Sequence, residues 1–192
     1  MTLTDAQIDR YSRQIIVPHI GGHGQERLLA ARILLAGDAR DIEAPLAYLV
    51  GAGVGTILLK LSGDQAAFTE KREMNSDVSV RVADGPKSRV DLALVIIGSE
   101  AARKIAEEIA NDRDVRALVI AQLDAPGRIL VIPDTHSAGT IDARFGTRAE
   151  AADFIAMLAT AEAFKLIAGY AENPPRATIE FDGFETRVRV NP

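Results

Sequence analysis

Apolar residues recur along the chain in two periods, and the changes between them mark out the elements. Ile8, Tyr11 and Ile15 stand at helical spacing behind Thr4-Asp-Ala-Gln7, a capping box, so a helix is predicted from about residue 5 to 16. Gly21, Gly22 and Gly24 break that pattern, and Gln25 to Ala31 reads as a second short helix. From Ile33 the chain alternates. Short apolar runs at 33–36, 54–61 (VGTILLKL), 78–82, 91–97 (DLALVII) and 116–122 (RALVIAQ) read as strands, with helical stretches at 42–50 and 99–111 between them. The end differs: a strand at 127–133, a long helix at 148–169 stopped by Gly169, and a hairpin at 177–190 around Asp182-Gly183. Residues 133–147 and 171–176 read as loops.

This alternation predicts an α/β fold: a doubly wound, mostly parallel Rossmann-like sheet with N-terminal helices and a C-terminal antiparallel addition. With 192 residues, no internal repeat and no low-complexity tract, one domain over 1–192 is expected. Its parts are a helical arm (1–31), the Rossmann-like core (32–132), and the long helix with its hairpin (133–192).

Composition narrows the partners. A net charge of -5 without a clustered basic stripe argues against nucleic acid. Cysteine is absent, which removes disulfides, thiol nucleophiles and cysteine zinc sites. The N-terminus lacks the apolar core of a secretory signal, and no apolar run of about 18 residues could span a bilayer, so a cytoplasmic protein with no membrane partner is expected.

The turn after the first strand holds the candidate chemistry. Gly37-Asp-Ala-Arg-Asp-Ile42 lies between a buried strand and a helix, the layout that cradles phosphate in nucleotide-binding folds. Yet it carries Asp38 and Asp41, followed by Glu43. Acids at a helix start stabilise its dipole and cap its free amides, so a self-capped helix without a phosphate is the simpler expectation. Gly51-Ala-Gly-Val-Gly55 precedes a strand and is expected to end a helix.

Three groups of residues resemble the ThiF/MoeB family, relatives of the ubiquitin-activating enzymes. They are Arg10-Tyr-Ser-Arg-Gln-Ile-Ile-Val-Pro18 with Gly24-Gln25-Glu26 and Leu28; Tyr48, Leu49 and Ala52-Gly-Val-Gly55; and Ala161-Glu-Ala-Phe-Lys-Leu-Ile-Ala-Gly-Tyr170. The resemblance implies adenylylation of a carrier protein's C-terminal glycine with ATP and magnesium, commonly in dimers. It also implies site residues that this chain lacks.

In the family's glycine-rich loop only Gly37 remains here; Ala39, Arg40 and Ile42 replace glycines. Lys60 and Ser62 stand where acids for the ribose are expected, and the nucleotide-contacting Asn and Arg segment has no counterpart before Val78. The magnesium-linked aspartate should follow the Asp91 strand, but Val95-Ile-Ile-Gly-Ser99 offers no carboxylate, and Glu100 reads as a first-turn helix acid. His19, His23 and His136 lack a visible third metal ligand, and Ser12, Ser99 and Ser137 lack a nucleophile elbow. No catalytic residue and no metal site are assigned.

The resemblance further implies that Arg13 can enter a partner's ATP site. The competing expectation is that Arg10 and Arg13 pair locally with Asp5, Asp9 or Glu26, while Tyr11 packs in the core. The sequence therefore points to a non-catalytic ThiF/MoeB-like pseudoenzyme. It would act as a dimeric scaffold or accessory, as a homodimer or with an active relative, for a ubiquitin-like or sulfur-carrier protein, and no cofactor is expected. The alternative is an ATP-dependent adenylyltransferase with a rearranged nucleotide site. A small-molecule pocket at the C-terminal edge of the sheet is a third, weaker reading.

Overall fold

The computed structural model describes residues 2–63, 75–83, 89–135, 148–170, 174–182 and 185–191. His136, Ser137 and Gly183 lie outside the described residues. The elements run α1 (Asp5–Ile15), α2 (Gly21–Ala30), β1 (Arg32–Gly37), α3 (Ala39–Ala52), β2 (Thr56–Leu61), β3 (Ser79–Val82), β4 (Val90–Ile97), α4 (Glu100–Ala110), β5 (Val115–Gln122), β6 (Gly127–Ile132), α5 (Ala152–Ala168), β7 (Arg176–Asp182) and β8 (Glu185–Asn191).

The strands form one mixed sheet in the order β3-β2-β1-β4-β5-β6-β7-β8. The first five are parallel, with Ile33 paired to Ile57 on one side and Leu92 on the other. From β6 onward the neighbours are antiparallel. β1, β4 and β5 are buried on both faces, which explains their unbroken apolar runs. One face packs under α2, α3 and α5 through Leu35, Ile42, Leu94 and Ile155. The other packs under α4 through Ala93, Val95, Ile105 and Ile109.

Three boundaries depart from expectation. α3 starts at Ala39, three residues before the expected 42, which puts Asp38 at its N-cap. The second helix starts at Gly21, so the glycines that were expected to break helicity form its first turn. At Gly24 the reason is packing: a side chain there would meet Ile20 Cγ2 at 3.0 Å and the Ala168 carbonyl at 3.3 Å, so glycine relieves crowding where α2 approaches the end of α5. The long helix begins at Ala152 rather than 148, because Arg148 bridges Asp124 and the Ala149 amide donates to the Leu123 carbonyl (2.7 Å). These bonds draw the approach to α5 onto the end of β5.

Candidate functional site

β1 is flanked by β2 and β4, and the chain leaves it for α3 on one face while the β4 connection leaves for α4 on the other. This is a topological switch point, where open α/β sheets place their ligands. Three strand ends meet there: Gly37-Asp38, Ser62 and Gly98-Ser99.

Asp38 holds them together. It is the N-cap residue of α3, but its side chain makes no cap bond. Instead Oδ1 accepts from Ser99 Oγ (2.8 Å) and from Ser62 Oγ. The expectation of a self-capped helix is therefore corrected: the carboxylate turns away from the helix amides and clasps the ends of β2 and β4. Ser99 also caps α4, accepting from the Ala102 amide (3.2 Å).

Asp41, one turn into α3, is almost fully enclosed, with its side chain 1% exposed. Oδ1 faces Arg148 (2.9 Å) and Arg40 (3.3 Å), whereas Oδ2 has no hydrogen-bond partner among the described residues. A cavity of about 380 Å³ opens beside this group, lined by Arg40, Asp41, Arg148, Glu150 and Asp153. Arg148 also pairs with Asp153 at 3.1 Å. Of the loop residues, Ile42 is in the core and Ala39 packs against it, while Gly37 lies at a φ of 147° with a side chain excluded by the Ile96 carbonyl.

The other candidates lie apart. Lys60 pairs with Glu108 on α4 (2.7 Å). Glu100 and Arg103 pair on the surface of α4, and the Arg103 hydrogen bond is the main reason the Glu100 carboxyl titrates below its ordinary range. His19 packs on Tyr170 with ring centroids 5.1 Å apart, and the exposed His23 faces Glu26 at 3.2 Å. No group of three or more potential metal ligands occurs among the described residues.

The family-like motifs converge at the opposite end of α3. The helix stops at Gly53, whose φ of 81° suits glycine and whose Cα faces the Tyr11 ring; a Cβ there would sit 2.6 Å from the ring. Tyr11 OH accepts from Asn75 (2.9 Å) and donates to Asp77 (3.0 Å). Asn75 Nδ2 donates to the Val50 carbonyl (2.9 Å), and the buried Gln25 donates to that of Ala52 (3.1 Å). Arg10 pairs with Asp77 (2.8 Å) and Asn75 (2.6 Å), not with Asp5, Asp9 or Glu26. Arg13 is exposed in the last turn of α1. At about 1.5 Å of rise per residue, α3 separates this joint from Asp38 by about 20 Å, so Arg13 cannot reach the switch point of its own chain.

Comparison with known proteins relates the chain to a named group. The adenylyltransferase and sulfurtransferase uba4 of Neosartorya fischeri is 34% identical over 135 residues, covering 69% of this chain and 26% of that protein. The Thermus thermophilus sulfur carrier protein adenylyltransferase is 47% identical over 58 residues, covering 30% of this chain and 21% of that protein. The chain belongs to the ThiF/MoeB family.

Solved structures agree on the fold of this ThiF/MoeB-family chain. Escherichia coli MccB with AMPCPP and MccA matches with a TM-score of 0.67 at 16% identity, covering 95% of this chain and 71% of that one. PaaA matches with a TM-score of 0.61 at 18% identity, covering 98% and 75%. No family model matches the chain. It spans only 26% and 21% of the length of the two curated relatives above. No helix among the described residues is long and apolar enough to cross a membrane.

Proposed function

We propose that this chain serves the adenylylation of a sulfur-carrier or ubiquitin-like protein, as a dimeric subunit that does not itself hold the nucleotide. The class of reaction is supported by relatives whose names are adenylyltransferases. The absence of a nucleotide rests on one observation, the Asp38 carboxylate clasped between Ser62 and Ser99 at the switch point.

A phosphate on the first amides of α3 would lie beside that carboxylate, which stands at the N-cap position although it points toward β2 and β4. At about 5 Å, with an effective dielectric near 20, each such charge pair costs about 3 kcal/mol. Arg40 and Arg148 offset little of it, since Asp41 already engages both. The residues present therefore do not fit a triphosphate with its magnesium ion.

Arg13 gains its role from a dimer in this reading, since the switch point of its own chain is out of its reach. In such a pair it would stabilise phosphate charge across the interface.

A second reading, an adenylyltransferase with a rearranged nucleotide site, is favoured by the names of the relatives. It is also favoured by the start of α3, where the Asp38 side chain makes no cap bond to the amides. An adenylylation assay separates the two. The chain alone, given ATP and a carrier ending in Gly-Gly, should release no pyrophosphate, whereas release at a rate above background selects the second reading.

A further inference from the structure

β8 is the outermost strand of the sheet, and no described strand pairs with its outer edge. An open edge presents unpaired amides and carbonyls, a template for one more strand. Its side chains alternate with unusual regularity. Val188 and Val190 are 62% and 65% exposed, and they stand opposite Ile179 and Ala177 in register, on the face that carries α5. Beside them an apolar cavity of about 320 Å³ is lined by Val131, Leu166, Tyr170, Ile179 and Val188.

Arg187 and Arg189 occupy the opposite face. Their acids are Glu185 (2.7 Å) and Glu180 (3.5 Å), in exposed pairs that are individually weak. Glu180 is already shared with Arg128. In a chain of net charge -5, this strand locally reverses the sign.

The same charges argue against a second copy of the chain as occupant. A two-fold antiparallel pairing centred on Val188, which pairs the whole strand, sets Arg187 against Arg189 of the other copy, and one centred on Arg187 or Arg189 sets that arginine against itself. One centred on Thr186 would set Glu185 against Arg187 but pairs only Glu185 to Arg187 within the strand. Like charges directly opposite each other destabilise a strand pair.

We infer that β8 docks an extended segment of a different protein in which acidic and apolar residues alternate. The acids face Arg187 and Arg189, the apolar side chains lie over Val188 and toward the cavity, and the backbone adds a ninth strand to the eight present. The inference stands whether or not the switch point binds a nucleotide.

The probes are a heptapeptide alternating glutamate with valine, the same peptide N-methylated along one backbone edge, and a lysine–valine counterpart. Each is titrated against the whole chain by fluorescence anisotropy. The glutamate peptide should bind, with salt weakening it, and the N-methylated and lysine peptides should not. Arg187→Glu with Arg189→Glu should weaken the glutamate peptide by roughly fivefold or more and admit the lysine peptide. Both positions are exposed, so an unchanged melting temperature shows that the fold survives. Equal binding of all three peptides, binding of none, or indifference to the charge reversal overturns the inference. Self-association of the chain that protects the β8 amides from hydrogen exchange overturns it in favour of a second copy.

Discussion

Asp41 Oδ2 occupies the space that a side chain at Gly98 would need. Asp38 Oδ2 lies 3.3 Å from the same point, so two carboxylates lean over one glycine at the end of β4. Gly98→Ala should therefore destabilise the protein by about 1–3 kcal/mol, read by chemical denaturation. The loss should shrink on an Asp41→Ala background, because the colliding oxygen is gone. Equal losses on both backgrounds would show that the contact carries no energy.

Asp41→Ala alone leaves Arg148 without its enclosed partner. Removing one half of a buried pair costs about 3–5 kcal/mol; Arg148 is 32% exposed, so solvent reduces the loss toward about 1–2 kcal/mol. Arg148 also anchors the approach to α5, so the amides of Ala149 and Ala152 should exchange faster in the variant. Unchanged exchange would place the anchoring elsewhere.

Ser62→Ala removes one donor to Asp38 Oδ1 at about 1 kcal/mol, and Ser99→Ala removes the other together with the α4 cap, at about 1–3 kcal/mol. Because both serve one acceptor, the double variant should cost a different amount from the sum. Strict additivity by thermal denaturation would contradict a shared clasp.

Tyr11 joins α1 to α3, and its hydroxyl carries two hydrogen bonds, so Tyr11→Phe should cost about 1–2 kcal/mol. Burial, with the neighbouring Asp77 carboxylate adding to it, pushes that hydroxyl above its ordinary value of 10.0. For a group raised in the folded state, the contribution is complete below about pH 10 and is lost as pH rises through the folded value. Stability should therefore fall in strong alkali less steeply in Tyr11→Phe than in the parent. Identical alkaline profiles would remove Tyr11 from that account.

The sheet was legible because its apolar runs and turn residues are local signals, and the N-terminal capping box appears as read, with Thr4 and Gln7 bonding reciprocally. The helical glycines of α2 were not. For Gly24 the signal is a neighbour, Ala168, that lies far along the chain. Asp38 shows the same limit at the candidate site: the acidic turn is visible in sequence, but the donors that hold its carboxylate lie 24 and 61 residues on. The available signal was positional, since Ser62 and Ser99 each follow a buried strand closely. Arg10 likewise finds Asp77 rather than the acids on nearby turns, because α1 lies against the start of β3.

The central claim is that the switch point is closed to nucleotide by Asp38. Isothermal titration of the chain with ATP and magnesium tests it most directly. The account predicts no resolvable binding heat for the parent chain. Tight, magnesium-dependent binding would contradict it and leave the rearranged adenylyltransferase as the reading of this fold.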